Sequence, residues 1–490
     1  MPEISALFTD FYSLTMAQGY WKRNRESRRD DDRAVFEMFF RYQPFGGGYS
    51  IFAGLGTLLE SLVNLSFSDE DIAYLKSLGI FEDEFTDYLK TFRFNGSLWA
   101  MDEGTVVFPY EPLIRVEGGL IECQIIEGLI LNTINFQSLI ATKTCRIWLA
   151  SGKGSVMEFG LRRAQGPDGA VSASRAAYIG GASGTSNTLA GRIFGIPALG
   201  TMAHSWVMSF SGEEEAFDYY AAIYPDKTTF LIDTYDTLKS GIHNAIKAGK
   251  KLAAKGKNFG VRLDSGDIQY LSTEVRRLLD GAGLNNAFIT VSNDLDEHII
   301  ETLVKEGAPV NSWGVGTRMV TGGREAAFPG VYKLAARIEE KNVFPVMKFS
   351  DNPEKTTNPG IKQVWRLKEN NGSAIADILG IDDGTDEPKT GERCCFWHPS
   401  ADYRHFFQAI ETDAQALLKK RIENGAPIDS LPSLAEIKAH AAEELESFDA
   451  TYKRLLNPHV YKVSITEKLR TMKLELIEKH LGGQGAAAVK

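Results

Sequence analysis

The sequence predicts an α/β fold whose central part is a barrel-like domain of parallel βα units, irregular or incomplete beside a full eight-fold barrel. Three observations carry this expectation. From about residue 155 to about residue 320, short apolar runs alternate with helix-like segments at intervals of about 30 residues, the rhythm of strand–crossover–strand units. Each apolar run ends in charged, hydroxyl or glycine residues, the types that gather at the carboxyl ends of barrel strands. Outside this stretch the rhythm fails. The expected organisation is an N-terminal α+β domain over 1–140, completed by about 340–390, a barrel-like domain over 141–340, and a mostly helical C-terminal region over 391–490.

The elements read as follows. FTDFYSLTMAQGYW is helix-like, RNRESRRDDDR (23–33) is a solvated charged loop, and VFEMFFRY is a strand. PFGGGYSIFAGL opens with a turn. GSVMEFGLRRAQG and IPALGTMAHS each show a strand-then-polar pattern. In SGEEEAFDYYAAI, Ser211 and Glu214 have capping-box spacing, so a helix starts just after the histidine segment. TTFLIDTYDT, NFGVRLDSGDI, AFITVSNDLD and NSWGVGTRMV are further strands. Between them lie the helices LKSGIHNAIKAGKKLAAKG, QYLSTEVRRLLDGAGL and HIIETLVKEG. FPVMKFS and IKQVWRL are strands with a proline-containing loop between them, 400–480 is mostly helical, and the tail GGQGAAAVK is mobile.

Composition narrows the function. The 490 residues are 43% hydrophobic and 24% charged, as in ordinary globular chains. No apolar run approaches about 18 residues, so no membrane helix is expected. The N-terminus lacks a basic region and a cleavage site, so it does not read as a secretory signal. The four cysteines, Cys123, Cys145, Cys394 and Cys395, form no CxxC pair, which points to a reduced, cytoplasmic protein. A net charge of −10 argues against nonspecific nucleic-acid binding, yet leaves room for a local basic pocket.

The strand ends carry Arg162 and Arg163, His204, Asp233 and Asp236, Arg262 and Asp264, Asn293 and Asp294, and Gly316 and Thr317. In a parallel barrel these converge on one mouth. His204, in GTMAHSWVMSF, is either a satisfied core histidine or a ring that does chemistry near neutral pH, and its strand-end position favours the second. Arg262 and Asp264 share one face of a strand; they either pair with each other or meet a ligand's anion, hydroxyls or Mg²⁺. In GGASGTSNTLAG, Thr185, Ser186 or Asn187 can cap a helix. It is not a Walker A loop, having no GKS or GKT. GVGTR is a glycine-rich turn of the phosphate-binding kind. Phe159 beside Arg162 and Arg163 suits a flat anionic ring, or is a core phenylalanine with surface arginines. Together these suggest a pocket for a sugar phosphate and an anionic partner.

The segments TDFYSLTMAQGYW, FEMFFRYQPFGGGYSIFAGL, EFGLRRAQG, GGASGTSNTLAG, GTMAHSWVMSF, VRLDSGD, VSNDLD, WGVGTRMVTG, PGVYKLA and PGIKQVWR, in this order, resemble the nicotinate phosphoribosyltransferase family. The resemblance runs from about residue 8 to about residue 370 and fades in the last hundred residues. It implies a type II phosphoribosyltransferase fold and a reaction of nicotinate with phosphoribosyl pyrophosphate. It also implies Mg²⁺, coupled ATP hydrolysis through a phosphohistidine, and a homodimer with shared active sites.

By motif position the resemblance implies His204 as the phosphohistidine, with Asp264 and Asp233 as partners of the ribose or of Mg²⁺. Nicotinate would lie between Phe159 and Tyr12, the latter from the neighbouring subunit, with Thr201, Ser186, Asn187 and Arg262 beside it. Thr317 and Gly316 would hold the ribose phosphate, and Arg162 and Arg41 the pyrophosphate. Related nicotinamide enzymes carry aspartate where this chain has Asn187, which implies preference for the acid. The alternatives are a phosphoribosyltransferase for nicotinamide or quinolinate, and a noncatalytic phosphosugar-binding protein. The type I signature, paired acids before a TGGT-like loop, is missing from the sequence.

Overall fold

The computed structural model describes residues 4–27, 32–340, 342–352 and 355–485. The chain divides into two compact units: Ile140–Ala326, and Met1–Leu139 with Ala327–Lys490.

The Ile140–Ala326 unit is built on one six-stranded parallel sheet: Gly184–Thr185, Ser155–Glu158, Ser312–Val315, Phe288–Val291, Gly260–Leu263 and Thr229–Leu231, in spatial order. By place in the chain these are the second, first, sixth, fifth, fourth and third strands. That is a cyclic barrel order opened once, between Thr185 and Thr229, in the stretch that carries Thr201 and His204. Val156, Phe230, Val261, Ile289, Val291, Trp313 and Val315 are at most 2% exposed. Burial on both faces explains the near-continuous apolar runs.

Helices follow the strands, and the acids at the strand ends start several of them. Asp267 caps Ile268–Gly281 by accepting from Tyr270 N–H, and Asp296 caps Glu297–Lys305 by accepting from His298 and Ile299 N–H. Two expectations are corrected here. IPALGTMAHS is not a strand: only Ala198 bridges, to Thr185, and the backbone then runs irregularly to the short helix His204–Met208. The cap of Glu213–Ile223 is Gly212, without a side-chain bond; Ser211 Oγ donates instead to Glu215, 2.5 Å away.

The other unit holds a seven-stranded antiparallel sheet that includes Arg33–Phe40, Ile114–Gly119 and Gly330–Glu339. It also holds a six-stranded mixed sheet centred on Lys362–Lys368, Ala374–Ile381 and Lys462–Ile465. Arg366 is fully buried here and ion-paired to Asp377 (2.6 Å) and Glu444 (2.5 Å). The helix Phe11–Ser27 takes in the first residues of the charged segment 23–33, whose residues 28–31 lie outside the described ones. The C-terminal stretch carries the helices Leu434–Glu446 and Glu467–Gly485; the strands Arg393–Trp397, His405–Ala409 and Lys419–Glu423 precede them. Residues 482–485 of the tail close the last helix, and 486–490 lie outside the described residues. No described helix is long and apolar enough to cross a membrane.

Candidate active site

The Gly260–Leu263 strand sets Arg262 at its end, with Asp264 just beyond. Arg262 Nη2 donates to Asp264 Oδ1 at 2.9 Å, and Nε donates to Ser292 Oγ at 2.9 Å. Nη1 donates to Thr201 Oγ1 at 2.6 Å and to the Met202 carbonyl at 3.3 Å. These bonds use four of the five guanidinium N–H groups, and the one left belongs to Nη2. The Ser292 hydroxyl donates in turn to Asp264 Oδ1. So Arg262 and Asp264 do pair, within a network that draws in two further segments.

Burial alone would raise the Asp264 carboxyl. The hydrogen bond and charge of Arg262, the Ser292 hydroxyl and the nearby His204 together hold it below the usual carboxylate range. Asp233, from the end of the preceding strand, accepts through Oδ2 from Asp264 N–H (3.0 Å) and Ser265 Oγ (2.6 Å). Its Oδ1 is buried without a partner.

His204 opens the helix His204–Met208. Its Nδ1 lies 3.2 Å from Thr234 Oγ1 and its Nε2 lies 3.6 Å from Asp264 Oδ2. The side chain is 40% exposed, so this is not a core histidine.

Beside the network lies a cavity of about 430 Å³. Arg262, Asp264, Ser292, Asn293 and Asp294 line one part, and Phe159, Arg162, Arg163, Gly314, Gly316 and Thr317 line the rest. Gly314 is needed for close approach: a Cβ there would sit 2.7 Å from the Phe159 ring, and one on Gly316 would sit 2.9 Å from the Phe159 carbonyl. Asn293 has a φ of 102°, a left-handed strain at the rim.

The remaining predicted residues are placed as follows. Asn187 caps Thr188–Phe194: its Oδ1 accepts from Ala190 N–H at 3.2 Å, while its buried Nδ2 has no partner. Ser186, half-buried next to it, donates its N–H to the Glu158 carbonyl. Ser186, Asn187, Thr201, His204 and Asp233 are not among the residues lining the cavity, although Thr201 and Asp233 bond directly to ones that are. Tyr12 and Arg41 belong to the other unit. Tyr12 is 48% exposed, with its hydroxyl 3.3 Å from Glu127 Oε2; Arg41 has a buried Nε without a partner.

Two residues of the site carry no signal in the sequence. Ser292 sits in VSNDLD, one residue ahead of the strand-end pair Asn293 and Asp294. Glu158 is 1% exposed; it accepts from Gly160 N–H, Ser174 Oγ (2.9 Å) and Thr185 Oγ1 (2.5 Å), which ties the Phe159 turn to the GTSN loop.

Among the described residues no group of three or more His, Cys, Asp and Glu side chains could hold a metal alone. Asp233, with an unsatisfied Oδ1, and Asp264 beside it fit the looser demand of Mg²⁺, which uses one or two carboxylates together with substrate phosphates.

Family models match most of the chain: the nicotinate phosphoribosyltransferase N-terminal domain over residues 7–135, the nicotinate phosphoribosyltransferase family over 155–386, and its C-terminal domain over 361–473. The chain is 39% identical to nicotinate phosphoribosyltransferase of Bacillus subtilis (strain 168), over 97% of this chain and 95% of the relative. It is 33% identical to the Homo sapiens enzyme of that name, over 95% of both chains. The crystal structure of human nicotinic acid phosphoribosyltransferase superposes with a TM-score of 0.81 at 30% identity, covering 96% of this chain and 99% of that one. This chain belongs to the nicotinate phosphoribosyltransferase family.

Proposed function

We propose that this protein converts nicotinate and phosphoribosyl pyrophosphate to nicotinate mononucleotide and pyrophosphate in NAD salvage, coupled to ATP hydrolysis through phosphorylation of His204. The observation that carries the proposal is the imidazole of His204, part-exposed and 3.6 Å from the Asp264 carboxylate within the Arg262 network.

In this reading the pyridine nitrogen attacks C1 of the ribose as the C1–O bond to pyrophosphate breaks, through a transition state with oxocarbenium character. Phe159 presents one aromatic face to the ring, and Tyr12 of the partner subunit the other. Arg262, through its remaining N–H, and Thr201 meet the carboxylate. Fixing the ring nitrogen near C1 removes much of the entropic part of the barrier. Thr317 and Gly316 hold the ribose phosphate, and Arg162 and Arg41 meet the departing pyrophosphate. Asp264 and Asp233 face the ribose hydroxyls and would hold Mg²⁺, which when bound offsets the pyrophosphate charge. A ring nitrogen of His204 takes the γ-phosphoryl group of ATP and releases ADP; the added charge reshapes the pyrophosphate site and tightens substrate binding. Hydrolysis of the phosphohistidine resets the cycle.

Asn187 supports the choice of acid over amide. As a helix cap it must accept with Oδ1, so the leftover group is an NH₂ donor, which suits a carboxylate. The protein is proposed to act in the cytoplasm as a homodimer with shared active sites. The test is pyrophosphate release with nicotinate, nicotinamide and quinolinate in parallel. At least a tenfold preference for nicotinate is expected. Equal use of nicotinamide would overturn the substrate assignment, and no release with any of the three would leave a noncatalytic phosphosugar-binding protein.

A further inference from the structure

The unit made of Met1–Leu139 and Ala327–Lys490 has a second cavity, of about 710 Å³, well within the roughly 300–1,000 Å³ of small-molecule sites. Its charge is one-sided. Arg404, Arg454, Lys462, His398, His405 and His459 line it, and no aspartate or glutamate does. In a chain of net charge −10 that is unexpected.

The pairing pattern of this unit sharpens the contrast. Arg115 is paired to Asp382, Arg366 to Asp377 and Glu444, Arg421 and Lys419 to Asp102, Lys468 to Asp383 and Arg470 to Asp402. Among the described residues, Arg404, Arg454 and Lys462 have no carboxylate within ion-pair distance. Three permanent cations crowded into one concavity repel one another, so an anion seated among them gains on all three at once.

The walls are also preorganised. Tyr110 holds a φ of 76°, a costly conformation for an aromatic residue, and its ring meets His398 edge-on at 5.9 Å. His398 Nδ1 accepts from the N–H groups of Ser400 (3.2 Å) and Ala401 (3.1 Å), which leaves Nε2–H as a donor. His459 is stacked on Tyr452 at 5.1 Å, and Lys462 Nζ rides 4.7 Å over the Phe406 ring. Guanidinium and ammonium groups suit phosphate oxygens, and the flat faces of Tyr110 and His398 suit a planar base.

We infer that this cavity, lined by none of the strand-end residues that carry the proposed reaction, is a binding site for a nucleoside polyphosphate. A folded pocket lined on several sides fits one nucleotide; an extended nucleic acid needs a continuous basic stripe.

The test is calorimetric titration of the full chain with ADP and with inorganic pyrophosphate. It uses wild type and two exposed-residue variants, Arg454→Glu and Lys462→Gln, with circular dichroism to report folding. In wild type ADP binds to a class of sites whose affinity falls at least tenfold in Arg454→Glu, and by a smaller factor in Lys462→Gln. Pyrophosphate binds this class more weakly than ADP. ADP binding unchanged in both variants overturns the site, and pyrophosphate binding that weakens in the two variants yet is as tight as ADP in wild type overturns its nucleoside part. If Arg454→Glu fails to fold, Lys462→Gln decides alone, because that side chain makes no ion pair whose loss could unfold the strand.

Discussion

Arg262 and Asp264 stand two apart at a strand end, a spacing legible in the sequence, and the structure puts them 2.9 Å apart. Ser292 and Glu158 carry no such signal, because a lone serine and a lone glutamate gain a role only when distant loops meet. Ser292 becomes a bridge once two strands lie side by side. Three outcomes belong to this scale. His204→Ala should lose ATP stimulation while some slow transfer persists, measured as pyrophosphate release with and without ATP. Asn187→Asp should keep its helix cap, since aspartate caps equally well, so the melting temperature should hold within a few degrees. Its preference for nicotinate over nicotinamide should nevertheless fall by at least tenfold, read from the ratio of kcat/KM values. Ser292→Ala should raise the KM for nicotinate by roughly tenfold, the cost of about 1–1.5 kcal/mol for one hydrogen bond in the Arg262 network.

The alternation of strand and helix was legible because parallel strands buried on both faces read as apolar runs, and acids mark the helix starts that follow. What the pattern could not show was length. Gly184–Thr185 is only two residues, too short for any period, and IPALGTMAHS has strand-like composition yet makes a single bridge. In the C-terminal stretch, short strands such as His405–Ala409 have mixed burial and escape a reading tuned to helical spacing. At this scale the helix Glu297–Lys305 makes a sharp prediction. Glu297 is 1% exposed and bonds to Lys143 at 2.5 Å and Arg146 at 3.0 Å. Burial would raise its carboxyl, but the two cations prevail and hold it below the ordinary value. A depressed carboxyl contributes stability that is complete above its unfolded value of about 4.3 and is lost as pH falls through the folded one. Glu297→Gln should therefore cost about 3–5 kcal/mol in urea unfolding at pH 7, with the gap to wild type narrowing below about pH 4. Gly314→Ala should cost about 1–3 kcal/mol, because its Cβ would meet the Phe159 ring at 2.7 Å.

At the scale of the whole molecule, the central fact is that strand ends far apart in the chain line one cavity in the Ile140–Ala326 unit, with His204 beside it. This much could be reasoned from the sequence, since a cyclic parallel sheet brings its carboxyl ends together by construction. No local pattern links Tyr12 and Arg41 to the strand ends and they belong to the other unit, so their proposed part rests on the family resemblance alone. If the active sites are shared between subunits, mixing inactive Tyr12→Ala and Arg262→Ala proteins should restore about a quarter of the wild-type sites, by the statistics of random dimers. The most direct measurement remains nicotinate-dependent release of pyrophosphate from phosphoribosyl pyrophosphate, with and without ATP, in wild type and His204→Ala. Release in wild type that ATP accelerates, beside slow release in the variant that ATP leaves unchanged, is the expected result. No nicotinate-dependent release in wild type, or equal ATP stimulation in both, would contradict it.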